Sequence, residues 1–195
     1  VKKWARLKQK KYREAEGRFL IEGMHLVEEA GKAGLLTHIL CTKETVPPCT
    51  DIPCTHVTRA ILDKITGSVS GSDIAAICRF PDRSDENASR WILLDRIQDP
   101  GNLGTIIRSA YAFGYDTILL SEGCADPYNE KVIRSTQGAL FHLCIRSCSL
   151  PDAVNDLKQR GVPIYATALH KDSIPLAQLS VPDTFAVLFG NEGQG

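Results

Sequence analysis

No run of apolar residues in this chain is long enough to cross a membrane. Apolar stretches such as residues 91–94 (Trp-Ile-Leu-Leu) and 185–189 (Phe-Ala-Val-Leu-Phe) fall far below the roughly 20 residues a bilayer span needs. The opening Val1, Lys2, Lys3 and Trp4 lead into no apolar core, so no secretory signal is read there. Excess charge is missing too: 23 Lys and Arg balance 23 Asp and Glu. With 43% hydrophobic residues and only 15 Gly and 10 Pro among 195, that balance excludes a disordered or collagen-like chain. The seven cysteines contain no CxxC pair. The closest spacings, Cys144 with Cys148 and Cys49 with Cys54, lack a second pair or a His knuckle. Reduced thiols in a cytoplasmic protein are expected, with no metal site.

What is present is uneven. Lys2, Lys3, Arg6, Lys8, Lys10, Lys11 and Arg13 all precede the first acid, Glu14, and Trp4 and Tyr12 lie among them. Such a run attracts a phosphate backbone and offers rings for base stacking, although a solvated helical arm carries the same pattern.

Residues 1–80 read as a small α/β unit. Strands are expected over 19–21, 36–41, 52–57 and 74–80, with helices over 24–33 and 59–65. The polar stretch 81–90 reads as a linker. From residue 91 to 195, strands over 92–95, 117–120, 142–145, 164–168 and 185–189 alternate with helices over 103–113, 130–140 and 152–160. That alternation predicts a parallel sheet covered by helices, with ligands beyond the carboxyl ends of its strands.

Three stretches concentrate polar groups at such ends. Residues 94–110 turn at Pro100 and Gly101, and Asn102 is a candidate cap for a helix whose N-terminus would attract an anion. Arg108 follows within two helical turns; an ordinary capped loop with a surface Arg has the same pattern. Residues 126–141 crowd polar groups at a helix start, with Asp126 as a candidate cap and Arg134, Ser135 and Gly138 near the far end. A capped helix packed through Val132, Ile133 and Leu140 is the plainer reading. Residues 188–195 set Glu192 between glycines, which suits close backbone approach to a ligand or a solvent-facing turn. No GxGxxG follows the first strand, which argues against a dinucleotide site.

In this order the three stretches resemble the SpoU (TrmH-like) branch of the SPOUT superfamily, RNA ribose 2'-O-methyltransferases that use S-adenosylmethionine. Residues 99–108 look like that family's first motif and 190–193 like its second, while 19–27 and 70–76 resemble its L30e-like RNA-binding domain. The resemblance implies an L30e-like domain over 1–80 and a SPOUT-type parallel-sheet domain over 91–195. The third motif is absent from the sequence, so a C-terminal truncation is expected. In the complete protein that segment would form a trefoil knot. The resemblance places Asn102, Arg108 and Glu192 in the catalytic constellation, and Thr167, Ala168, Leu188 and Gly190 against S-adenosylmethionine. It also assigns the seven basic N-terminal residues, with Arg134 and Ser135, to RNA. A guanidinium stays charged in nearly any protein site, so Arg108 is expected to bind phosphate and stabilise a developing alkoxide, not to act as a base.

Ribosomal RNA is the expected substrate and a homodimer through the second domain the expected assembly. Transfer RNA is the alternative substrate. A non-catalytic RNA-binding protein would need neither Asn102 nor Glu192, and its RNA affinity would ignore the methyl donor. A small-molecule phosphate enzyme would leave the N-terminal unit without a task.

Overall fold

The computed structural model describes residues 2–67, 71–168 and 173–191. In chain order its elements are α1 (Lys2–Ala5), a 3-10 turn (Arg6–Lys8), α2 (Lys10–Glu16), β1 (Arg18–Glu22), α3 (Met24–Lys32), β2 (Leu36–Cys41), β3 (Cys54–His56), α4 (Arg59–Thr66) and β4 (Ile74–Arg79). There follow β5 (Arg90–Leu94), α5 (Pro100–Ala112), β6 (Thr117–Leu120), α6 (Glu130–Thr136), a 3-10 turn (Ala139–Phe141), β7 (Cys144–Ser147), α7 (Leu150–Gln159), β8 (Ile164–Ala166), a 3-10 turn (Leu176–Gln178) and β9 (Phe185–Phe189). Among the described residues, no helix is long and apolar enough to cross a membrane.

The chain divides into two compact units, Val1–Asp82 with Tyr128–His142, and Arg83–Pro127 with Leu143–Gly195. The first is built on a four-stranded sheet in the order β1-β4-β2-β3. β4 pairs antiparallel with both β1 and β2, and β3 joins β2 in parallel. Leu40, Leu62, Ile65 and Ala75 bury one core cluster, with Trp4 and Leu20 packed against it.

Residues 128–142 lie in the first unit for a physical reason. Tyr128 sits 4.9 Å from Phe19 and 4.5 Å from Phe80 between ring centroids, and Phe141 lies 6.2 Å from Phe19. Phe19 and Phe141 are fully buried, so these rings join the returning segment to β1 by apolar burial and edge-tilted contact. The expected helix over 130–140 stops at Thr136, because Gln137 and Gly138 take positive φ angles of 51° and 93°. A side chain at 138 would bring its Cβ within 3.0 Å of Glu29 Cβ, so glycine allows the close approach.

The second unit holds a parallel five-stranded sheet in the order β7-β6-β5-β9-β8. The α/β class and parallel sheet are those expected. Both sides of β5 are buried: Trp91 and Leu93 join Leu119, Leu150 and Leu157 in one core cluster, while Ile92 and Leu94 are buried on the opposite side. Connections run outward from β5 through β6 to β7 in one direction, with β9 and β8 on the other side. The strand order therefore reverses between β5 and β9. In open parallel sheets, a reversal of this kind leaves a crevice beyond the carboxyl ends of the two strands. The knot expected of the complete domain involves residues beyond those described.

Candidate active site

The crevice side of the second unit is held together by short polar contacts. The Asp95 N–H donates to Phe189 O at 2.9 Å, continuing the β5–β9 ladder past its end. Arg96 then takes a left-handed conformation (φ 52°). Its N–H donates to Ser121 Oγ at 2.8 Å, and the Ser121 N–H donates to Leu94 O at 2.9 Å. Asn191 Nδ2 donates to Arg96 O at 2.9 Å. The loops after β5, β6 and β9 are thus linked through Arg96, a residue that no motif in the sequence singles out. Its signal is conformational, and arginine carries no sequence preference for a left-handed turn.

The helix that leaves this crevice starts earlier than expected. α5 begins at Pro100, and its cap is Asp99, whose carboxylate accepts the Asn102 N–H at 2.8 Å. Proline at the first helical position needs no N–H partner and comes with the right φ, which moves the start ahead of Asn102. Asn102 is therefore inside the first turn and is not the cap. A second consequence is electrostatic: a carboxylate already occupies one of the N–H groups that an anion would use.

Arg108 lies on the same helix with an exposed side chain, and among the described residues no carboxylate forms an ion pair with it. Its six-residue offset from Asn102 corresponds to about 9 Å along the axis and about 120° around it. The two reach a common ligand only if the long Arg108 side chain extends back toward the N-terminus, the direction in which helical side chains tilt. Glu192 lies outside the described residues.

The cofactor candidates come together at the ends of β8 and β9. The Thr167 N–H and hydroxyl both donate to Leu188 O, at 2.9 and 3.2 Å. Ala168 follows with an exposed side chain, its carbonyl accepting from Ser173 Oγ at 3.1 Å. Leu188, Phe189 and Gly190 are half-buried. Half-covered apolar side chains beside backbone donors and acceptors suit a flat, partly polar ligand such as an adenine nucleoside.

The residues expected to bind RNA separate into distinct roles. Lys2, Lys3, Arg6, Lys8, Lys10 and Lys11 are exposed, on short helical turns folded into the first unit. Arg13 is buried, and its Nη1 donates to Leu7 O at 2.9 Å and Lys8 O at 2.8 Å. It satisfies carbonyls at a turn that has no regular helix to continue into. Lys8 Nζ reaches Lys64 O at 3.4 Å near the end of α4. The two rings expected to stack bases are engaged: Trp4 lies 4.9 Å from the His38 ring, and Tyr12 is covered by Arg6 and Lys11 at 5.5 and 4.8 Å. On α6, Arg134 pairs with Glu130 at 3.7 Å, and the Ser135 hydroxyl donates to Lys131 O at 2.9 Å. Asn129, not Asp126, caps this helix, its side chain accepting the Lys131 N–H at 2.9 Å. Lys8, Arg13, Lys131 and Arg134 line a cavity of about 360 Å³ within the first unit, with Glu22 and Glu130 on its wall. Sequence distance hid this arrangement, because α6 reaches the N-terminal residues only by returning to their unit.

Comparison with known proteins gives these features a family. Residues 89–195 match the SpoU rRNA Methylase family, and residues 1–76 match the MRM3-like substrate binding domain. The 23S rRNA (guanosine(2553)-2'-O)-methyltransferase RlmP of Bacillus subtilis (strain 168) is 41% identical over 199 residues, covering 100% of this chain and 80% of that protein. The mitochondrial rRNA methyltransferase 3 of Homo sapiens is 28% identical over 176 residues, covering 82% of this chain and 40% of that protein. Among solved structures, an AdoMet-bound rRNA methyltransferase from Sinorhizobium meliloti superposes with a TM-score of 0.81 at 26% identity, covering 98% of this chain and 78% of that one. With more than half its length matched to the family and a relative 41% identical along all of it, the chain belongs to the SpoU rRNA methylase family.

Proposed function

We propose that this protein methylates a ribose 2'-hydroxyl of ribosomal RNA, using S-adenosylmethionine. The observation that carries the reading is the exposed Arg108 guanidinium on α5, the helix that leaves the β5–β9 crevice of a SpoU-family domain. S-adenosylmethionine supplies an electrophilic methyl group on a sulfonium sulfur. Thr167 and Ala168 after β8, with Leu188 and Gly190 on and after β9, would hold it; the half-buried Leu188 and Gly190 beside the exposed Thr167 and Ala168 would offer its adenosine moiety an apolar face and a polar edge.

Arg108 carries the planar, five-donor guanidinium that suits phosphate and a developing oxyanion. Its role is to bind the phosphate next to the reacting ribose and to stabilise negative charge as it develops on the 2'-oxygen. Asn102 in the first turn of α5 and Glu192 complete the set that orients the hydroxyl. Orientation matters because the oxygen must lie in line behind the methyl group. The first unit serves as the RNA-binding domain. Lys2, Lys3, Arg6, Lys10 and Lys11 offer an exposed basic surface, and Lys8, Lys131 and Arg134 line the basic cavity. Arg13 contributes through its buried hydrogen bonds, as a positioning residue. Recognition of the 2'-hydroxyl would distinguish RNA from DNA. The reading includes a cytoplasmic homodimer formed through the second unit, where Tyr111 and Phe113 leave aromatic surface exposed (48% and 73%).

The test is transfer of a labelled methyl group from S-adenosylmethionine to undermethylated ribosomal RNA, transfer RNA and a DNA of matched sequence. Label confined to ribosomal RNA, at a linkage resistant to alkaline hydrolysis, is the expected result. Label on a base, or on transfer RNA alone, would overturn the substrate or the site of transfer.

A further inference from the structure

The edge of the first unit carries a side-chain cluster that the methyl-transfer chemistry does not use. β2 and β3 run parallel with Ile39 opposite Cys54 and Cys41 opposite His56. Alternate residues of a strand share a face, so Cys41, Cys54 and His56 project to the same side. Cys41 Sγ lies 3.4 Å from Cys54 Sγ and 3.6 Å from His56 Nδ1, and the ligand atoms of all three lie within 4.8 Å of one another. Cys41 is buried, whereas Cys54 and His56 are exposed, so the cluster opens to solvent on one side.

These separations can be compared with those that a metal imposes. With Zn–S near 2.3 Å and Zn–N near 2.0–2.1 Å, a tetrahedral ion sets ligand edges of about 3.8 Å between sulfurs and about 3.5 Å between sulfur and nitrogen. The two Cys41 separations fall within a few tenths of an ångström of those edges. Two sulfurs and one imidazole nitrogen form a donor set for a thiophilic ion and a poor one for magnesium or calcium. We propose that Cys41, Cys54 and His56 form a binding site for a thiophilic divalent cation of the zinc type, with its fourth position open to water.

Loading releases the two thiol protons to solvent and leaves the imidazole neutral, with its proton on Nε2. The Nδ1 contact with Thr42 O at 3.3 Å is then given up for the metal. The ion would fasten β3, an edge strand of three residues, to β2. The pattern Cys-x12-Cys-x-His escapes a search for zinc knuckles because strand pairing, not a turn, closes it.

Cobalt(II) is the probe. The full chain is reduced, stripped with chelator and titrated with Co2+ without oxygen. The expected result is stoichiometric binding with thiolate-to-cobalt charge-transfer absorbance in the near ultraviolet, displaced by Zn2+. Cys54→Ser and His56→Ala, both at exposed positions, should weaken binding at least about tenfold. Cys49→Ser should not, because that thiol lies beside Gly31. Circular dichroism and melting of each variant distinguish ligand loss from unfolding, and Zn2+ should raise the melting temperature of the parent chain and of Cys49→Ser more than that of Cys54→Ser or His56→Ala. An absent charge-transfer band, a band unchanged in Cys54→Ser, or a Cys41–Cys54 disulfide in protein purified without reductant would overturn the proposal.

Discussion

Asn191 donates its side-chain amide to the Arg96 carbonyl at 2.9 Å, across 95 positions of sequence, and so joins the loop after β9 to the loop after β5. Arg96 holds a left-handed conformation at that junction, which costs a non-glycine residue roughly 1–2 kcal/mol. Asn191→Ala should therefore lower stability by about 1 kcal/mol, the net value of one hydrogen bond. It should reduce methyl transfer more than it reduces stability, because the loop ends at the crevice lose their alignment. Arg96→Gly relieves the strained φ and should be neutral or mildly stabilising. Denaturant melts of both variants, beside single-turnover methylation, provide the comparison.

Arg108 is the most direct test of the proposed chemistry. Its exposed position predicts a stability change within about 0.5 kcal/mol on substitution. Arg108→Ala should lower kcat/KM on RNA by about 100-fold or more, the loss associated with one donor to a developing oxyanion. Arg108→Lys keeps the charge and should retain more activity than Ala. Affinity for S-adenosylmethionine should be unchanged in both. A base role would instead leave Lys as inactive as Ala with RNA binding intact.

The basic N-terminal residues should behave as two classes. Arg13→Met removes a buried guanidinium and should cost about 1.5–3 kcal/mol, since it leaves the Leu7 and Lys8 carbonyls without their charged donor. Lys10→Gln and Lys11→Gln should change stability little. Each should lower the salt dependence of RNA affinity, with a change in slope of about 0.7 for every phosphate of single-stranded RNA that is no longer neutralised. Titrations at several salt concentrations separate the two classes.

Acid should act on the second unit partly through Asp85. Burial works against its charge, but the hydrogen bond and charge of Arg146, 2.7 Å away, outweigh that and hold the carboxyl below its ordinary value. The stabilisation is complete above about pH 4, the range of an unfolded-state Asp, and fades as pH falls through the depressed folded-state value. Arg146 is half-exposed, so the contribution is under about 1 kcal/mol. Asp85→Asn should flatten the acid limb of stability against pH and lower stability near neutrality by that same contribution, leaving it unchanged at low pH.

The strands were largely legible from apolar runs: β2, β6 and β9 have the expected limits, and β5 lies close to them. Helix ends were less legible. Asn102 and Asp126 each have a capping side chain, but Asp99 and Asn129 occupy the positions from which a side chain reaches the second or third N–H. The basic run was legible as charge but not as structure, because nothing local indicates that Arg13 turns inward onto two carbonyls. Cys41, Cys54 and His56 were hidden for another reason, since only the parallel pairing of β2 with β3 brings them together. At the proposed active site, Asn102 and Arg108 lie in a stretch the sequence displays as a motif. The Arg96 junction was not, because it depends on backbone angles.

The return of residues 128–142 to the first unit bears on how this protein is made. A ribosome releases the chain from its N-terminus, and a domain contiguous in sequence can finish folding as soon as its last residue clears the exit tunnel. Here the first sheet is complete after β4, yet the ring that packs against both Phe19 and Phe80 is supplied by Tyr128, and Phe141, which also packs against Phe19, comes later still. The nascent first unit must wait with apolar surface exposed while β5, α5 and β6 emerge. Its closure is thereby timed to the synthesis of the catalytic half, and a nascent chain arrested between residues 82 and 128 should be a preferred client for chaperones.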